Sequence, residues 1–191
     1  MTRTTLKCLA ALGSSLALTT LAAPASAAEF KSVDHAQSRI GFAYTQMGVG
    51  MDGSFGKFTA QLAFDPARPA QGRASLELQI ASIDAGSSEA NDEVKAKDWF
   101  NAAAFPSARF ESTGIKALGA NRFQLDGKLT IKGKTRDITT PVSFAATGKT
   151  GSFDGSFVIK RRDYAIGEGQ WADVGIVADE IRIKFHIVAG Q

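Results

Sequence analysis

Ile181-Arg182-Ile183-Lys184-Phe185-His186-Ile187 alternates apolar and polar residues without a break, and most segments upstream of it carry the same period of two. A strand written this way has one apolar face and one polar face. Residues 38–46 place Ile40, Phe42 and Tyr44 on one side. Residues 55–64 place Phe58, Ala60, Leu62 and Phe64 at alternate positions until Asp65-Pro66 stops them, as turn chemistry requires. Residues 73–83 set Leu76, Leu78 and Ile80 against Glu77 and Gln79. Further strands are expected at 29–33, 108–115, 122–132, 135–146, 152–162 and 177–189. The pair 122–132 and 135–146 reads as a hairpin around Lys132-Gly133-Lys134, with Phe123, Leu125, Leu129 and Ile131 facing Ile138, Val142 and Phe144. Gly48, Gly50, Asp52 and Gly53 are expected to loosen the chain between the second and third strands.

About eight strands in one chain match an all-β, antiparallel, eight-stranded lipocalin-like barrel better than a seven-strand immunoglobulin sandwich. Residues 87–97 break the pattern: they contain helix formers, serines able to cap the start and Glu89 near the positive end, so one helical insertion is expected there. Trp99, Phe100 and Phe105 form an aromatic cluster after it.

The chain has 191 residues. Met1 to Ala27 reads as a secretory signal, with Arg3 and Lys7 at its start, a mostly apolar middle and Ala25-Ser26-Ala27 as a small-residue cleavage site. That leaves residues 28–191 as one barrel domain and implies a periplasmic location. The single cysteine, Cys8, lies inside the signal, so the exported domain has no disulfide and must hold itself by packing and sheet hydrogen bonds. Cleavage removes two cations and no acid, so the formal charge falls from +3 to +1. A balance that close to zero gives no reason to expect nucleic acid as a partner.

Catalytic residue types are scarce. The exported domain has two histidines, His35 at a strand boundary and His186 on the polar face of the last strand, and no closely spaced His or Cys pairs for a metal. Asp92-Glu93 on the helix and Asp179-Glu180 at a strand start are natural solvated positions, although a carboxylate hydrolase working through Asp92 or Glu93 is one alternative. The reading is therefore of a protein that is not an enzyme and needs no cofactor.

Three groups of segments resemble the YceI-like family of exported lipocalin-like proteins. The first runs from Val33-Asp34-His35 through Ser38-Arg39-Ile40-Gly41-Phe42 and Met47-Gly48 to Gly53-Ser54-Phe55-Gly56-Lys57-Phe58. The second runs from Ile80 to Ile83, then Asp98-Trp99-Phe100 and Phe105-Pro106-Ser107-Ala108-Arg109-Phe110. The third combines Gly127 to Thr135 with Arg161-Arg162-Asp163-Tyr164 and the strand entered at Val177-Ala178-Asp179-Glu180-Ile181. The resemblance implies an eight-stranded barrel that binds a polyisoprenoid or similar amphiphile, such as an isoprenyl lipid or a quinone, without catalysis. Gln37 and Gln46 stand where many members carry histidine, so head-group contacts are expected to differ here.

On this reading the lumen is lined by Phe42, Tyr44, Phe58, Leu76, Leu78, Ile80, Phe123, Leu125, Leu129, Ile131, Phe157 and Ile183. The alternative is that the same residues fill a solid core. Trp99, Phe100, Phe105 and Trp171 are placed at a barrel mouth, where the helix either caps the end or gates it. Continuing the parity of Phe153, Phe157 and Ile159 points Arg161 and Asp163 inward, either as an ion pair closing the barrel or with Arg161 meeting a polar head group. Lys128, Lys132, Lys134 and Arg136 cluster on one hairpin, either as a membrane-surface contact or as a solvated face. The protein is expected to be a monomer or weak homodimer. The rival from another class is a filled barrel acting through a protein partner such as a membrane cytochrome.

Overall fold

The alternating segments become eleven strands of one antiparallel sheet in a computed structural model that describes residues 29–191. The expected signal, residues 1–27, lies outside the described residues. The strands are β1 (Ser32–Val33), β2 (Arg39–Gln46), β3 (Val49–Phe55), β4 (Phe58–Ala63), β5 (Arg73–Gln79) and β6 (Ile83–Asp84). After the helix α1 (Ser88–Lys95) come β7 (Ser107–Gly119), β8 (Arg122–Ile131), β9 (Lys134–Thr147), β10 (Thr150–Lys160) and β11 (Glu180–Gly190). Their order across the sheet is β4-β5-β7-β8-β9-β10-β11-β2-β3-β6, with β1 on β11.

Two of these divisions are kinks within longer runs. Gly56 and Lys57 separate β3 from β4, and a 3₁₀ turn at Ile80–Ser82 separates β5 from β6. Phe58 pairs with Leu78 on one side of the kinks, and Phe55 with Ile83 on the other. Setting the short β1 aside, the strands make eight long runs whose order returns on itself, the lipocalin-like barrel that the alternation implied.

The glycine-rich stretch after residue 47 is a correction: Val49–Phe55 is a strand, not a loosened segment. One of its glycines, Gly53, makes room for a side chain of β2. Gly53 pairs with Phe42, whose ring occupies the space a Cβ at Gly53 would need, and Gly155 stands in the same relation to Phe185. Each ring covers the glycine opposite it.

The helix starts as its residues imply. The Ser87 hydroxyl accepts from the Ala90 N–H at 3.2 Å and Glu89 lies in the first turn. The hairpin turn at Lys132-Gly133 also falls where expected, with Phe123 opposite Val142 and Gly127 opposite Ile138. The barrel end at which β9 meets β10 is packed with aromatic rings. Phe64 meets Phe123 at 5.0 Å and Phe153 at 5.3 Å, both edge-to-face, and Phe30 meets Phe144 at 5.2 Å. Phe30 also exchanges backbone hydrogen bonds with Phe64, stitching the segment before β1 to the end of β4.

Candidate functional site: an apolar lumen with a buried arginine at one end

Above the aromatic plug the inward side chains do not meet, and they enclose a cavity of about 670 Å³. The solid-core reading therefore does not describe this interior. Fourteen of the residues singled out from the sequence form its wall: Phe42, Tyr44, Leu76, Leu78, Trp99, Phe100, Phe123, Leu125, Leu129, Ile131, Phe157, Arg161, Trp171 and Ile183. They converge because each strand contributes alternate residues to one surface.

Four of the singled-out residues lie elsewhere. Ile80 sits in the 3₁₀ turn and is buried in the core beside the wall, its N–H bonded to the Pro106 carbonyl. The turn breaks the parity that would have aimed it into the lumen. Phe58 is half-buried with its ring 5.2 Å from that of His35, and Phe105 packs under the Lys132-Gly133 turn. Asp163 is exposed. The strand ends at Lys160 and residues Arg161–Tyr164 form another 3₁₀ turn, so Arg161 and Asp163 no longer share a face.

The proposed Arg161–Asp163 ion pair is accordingly absent. Arg161 is fully buried and donates all its N–H groups to backbone carbonyls. Nε reaches Val177 and Ala178 at 3.3 and 3.2 Å, Nη1 reaches Ile166 and Gly167 at 2.9 and 2.8 Å, and Nη2 reaches Trp171 and Val177 at 2.8 Å each. The loop between β10 and β11 is thus wrapped around one guanidinium. With every donor used, Arg161 has none left to offer a head group. Its charge remains, lying 5.8 Å from the centre of the Trp99 ring. Burial pushes its pKa below the ordinary arginine value, opposed by the Asp179 carboxylate, which is itself paired with Arg162 at 3.3 Å. The charged residues at this end of the wall are thus one buried cation, Arg161, and the carboxylates Glu89 and Glu93 of α1.

Trp99 and Trp171 pack at a tilt of 56°, ring centres 5.5 Å apart, beside the guanidinium. Trp171 donates its Nε1–H to Glu93 of α1 at 2.6 Å, which ties the loop to the helix. Glu93 is therefore a structural acceptor, and its neighbour Asp92 pairs with Lys95 at 3.0 Å. The Trp99 Nε1–H is buried without a partner. The helix contributes Glu89, Ala90, Glu93 and Val94 to the wall, so it roofs the cavity as well as closing the barrel. Tyr44, half-buried in the wall, donates its hydroxyl to the Ala85 carbonyl at 3.1 Å, and burial raises its pKa.

The basic hairpin is less free than its sequence suggested. Lys128 pairs with Asp137 at 2.8 Å, and the Lys132 amine is buried against the Ala165 carbonyl at 2.6 Å and Glu168 at 2.9 Å. Wall residues that the sequence reading passed over include Met51, Phe110, Thr140 and Phe185. Parity could have found Phe110 and Phe185. Met51 was hidden by the glycines around it, and Thr140 by its polar class.

Comparison with known proteins places this architecture. The model of the YceI-like domain matches residues 32–189. The crystal structure of Burkholderia cenocepacia BcnA superposes with a TM-score of 0.81 at 47% identity, covering 83% of this chain and 99% of that one. A UPF0312 protein of Azotobacter vinelandii is 30% identical over 141 residues, 71% of each chain. A polyisoprenoid-binding domain from Saccharophagus degradans, implicated in plant cell wall breakdown, shares the fold at a TM-score of 0.65 and 15% identity, covering 84% of this chain and 97% of that one.

Proposed function

Because the chain belongs to the YceI-like family, and because its barrel is hollow, we propose that it takes up a polyisoprenoid or similar amphiphile in the lumen and carries or sequesters it in the periplasm without transforming it. The carrying observation is the apolar cavity of about 670 Å³. The polyisoprenoid-binding description of the structural neighbour supports the class of ligand, and the amino-terminal signal-like sequence supports the location.

The cavity sets the size of the ligand. At the packing density of protein interiors, it holds on the order of 25 to 30 non-hydrogen atoms, or about five to six isoprene units. A longer tail extends beyond the mouth. At about 0.3 kcal/mol per atom such a ligand gains about 8 kcal/mol, corresponding to a Kd near 1 μM.

Organic extraction of the purified native protein followed by mass spectrometry is expected to release a polyprenyl species. Leu125→Arg places a charge in the wall and should abolish retention while leaving the circular dichroism spectrum unchanged. Recovery of the same lipid from Leu125→Arg, or of none from the wild type, overturns the reading; the second result favours the interaction-module alternative.

A further inference from the structure

A lipid held in this lumen has to cross from a bilayer into the protein, and the exposed residues on the cavity wall show where. Three of them, Gly86, Ser87 and Glu89, lie together at the start of α1, while Gln61 stands apart on β4 opposite Ser75. Gln46 and Met51 of the β2–β3 hairpin complete the rim beside that helix start, where the Met51 methyl lies 3.9 Å from the position of a Cβ on Gly86.

The tip of this hairpin has an unusual surface for a water-facing turn. From Ile40 to Met51 there is no charged residue. Met47 is 76% exposed and Val49 60%, and Val174 of the neighbouring loop is 45% exposed. The Met47 N–H donates to the Ile176 carbonyl at 2.8 Å and Gln46 bridges to Val177, so hairpin and loop present these side chains together. Only two other large apolar residues among those described, Leu118 and Val158, are comparably exposed. Leu118 precedes the turn at the opposite end of the barrel and Val158 is on β10.

The turn itself sharpens the point. Met47 and Gly48 both have positive φ, +48° and +80°, the geometry in which asparagine and glycine are the comfortable pair. The Lys132-Gly133 turn of the β8–β9 hairpin has the same backbone signs, +48° and +71°. There the first side chain is a lysine folded back onto the protein, whereas at the lumen mouth it is a methionine pointing away from it.

We propose that the Met47–Val49 tip, with Val174, inserts into the interfacial region of a lipid bilayer and docks the mouth of the barrel on it. This rests on the lipid-carrier reading above. A bilayer suits the patch better than a protein does: a handful of side chains falls far short of the about 20–30 residues a side of a standard protein interface. Interfacial anchoring needs only a few exposed apolar side chains, and the Met47–Val49 tip itself carries no charge, although the exposed Asp173 adjoins Val174. The site sits where a tail leaving the lumen emerges, so docking would let the lipid pass without crossing water.

Flotation with phosphatidylcholine vesicles tests the docking, and calorimetric titration with farnesol tests the lumen separately. The wild type and Leu118→Asp, a matched charge at the far end, are expected to float with vesicles. Met47→Asp/Val49→Asp should lose about tenfold or more of that partitioning while binding farnesol like the wild type, which also shows that it folds. A wild type that does not float, or a double variant that floats as well as the wild type, overturns the docking proposal whatever the farnesol result. Failure of all proteins to take up farnesol counts against the carrier reading instead.

Discussion

The two ends of the barrel are closed by opposite chemistry. At one end Phe30, Phe64, Phe123, Phe144 and Phe153 interlock, mostly edge to face, and need no hydrogen bond between side chains. At the other, a single buried guanidinium gathers carbonyls from residues 166 to 178, and the helix is tied to that loop by one Trp171–Glu93 hydrogen bond. Hydrocarbon packing is non-directional and bonds every neighbour to every other. The carbonyl cage centres on one residue, with Lys132, the Asp98 carbonyl and the β2–β3 tip adding separate ties to the same loop. The difference assigns the ends: the aromatic plug anchors the fold, while the arginine-held end is a separable cover over the lumen.

The most severe way to break that contrast is Arg161→Met. It leaves the carbonyls of Ile166, Gly167, Trp171, Val177 and Ala178 without their donor, and a loss of about 4 to 5 kcal/mol is expected. Urea denaturation measures the total. Hydrogen exchange locates it: amides of the 164–178 loop should lose protection while those of β8 and β9 keep theirs. Uniform deprotection would mean that the two ends are one cooperative unit.

Phe144→Ala tests the other end and should cost about 3 to 4 kcal/mol. Phe144 touches Phe30, Phe64, Phe123 and Phe153, so its removal opens a hole at the centre of the plug. Here the loss should be global, lowering the urea midpoint with no selective exchange in the 164–178 loop. A cost below about 1 kcal/mol would show that the plug relaxes around the hole and is not the anchor.

The contrast also explains which parts could be read from the sequence. The plug and the wall are built from strand residues, and in a strand every second residue shares a surface, so Phe42, Leu78, Leu125 and Ile183 could be placed by counting. The cover is built where strands stop. A 3₁₀ turn has a period near three, so counting by two past Lys160 put Asp163 beside Arg161 when it faces water. The same failure displaced Ile80. The partners of Arg161 are main-chain carbonyls, which carry no residue identity and leave no trace in a sequence. Gly53 misled for a related reason: glycine reads as a breaker, while here it leaves space for the ring of Phe42.

Tyr164 offers the smallest effect at neutral pH and a way to sharpen the comparison by titration. It lies in the turn that starts the cover, almost wholly buried, with its hydroxyl unpaired. Burial pushes its pKa up to about 12, against an ordinary value near 10. The neutral phenol is thus the form the folded protein favours. Below pH 10 both folded and unfolded chains hold the proton and stability is unaffected. Between pH 10 and 12 the unfolded chain releases its proton first, so stability falls as pH rises, by about 3 kcal/mol in all. Tyr164→Phe removes that slope. At pH 7 it should change stability by less than about 1 kcal/mol, with any gain reflecting an unpaired hydroxyl no longer buried. Measured by urea denaturation from pH 8 to 12, the stability difference between variant and wild type should stay constant up to about pH 10 and shift in favour of the variant above it. Parallel curves would show that the phenol reaches water in solution, and that the cover is looser than its carbonyl cage implies.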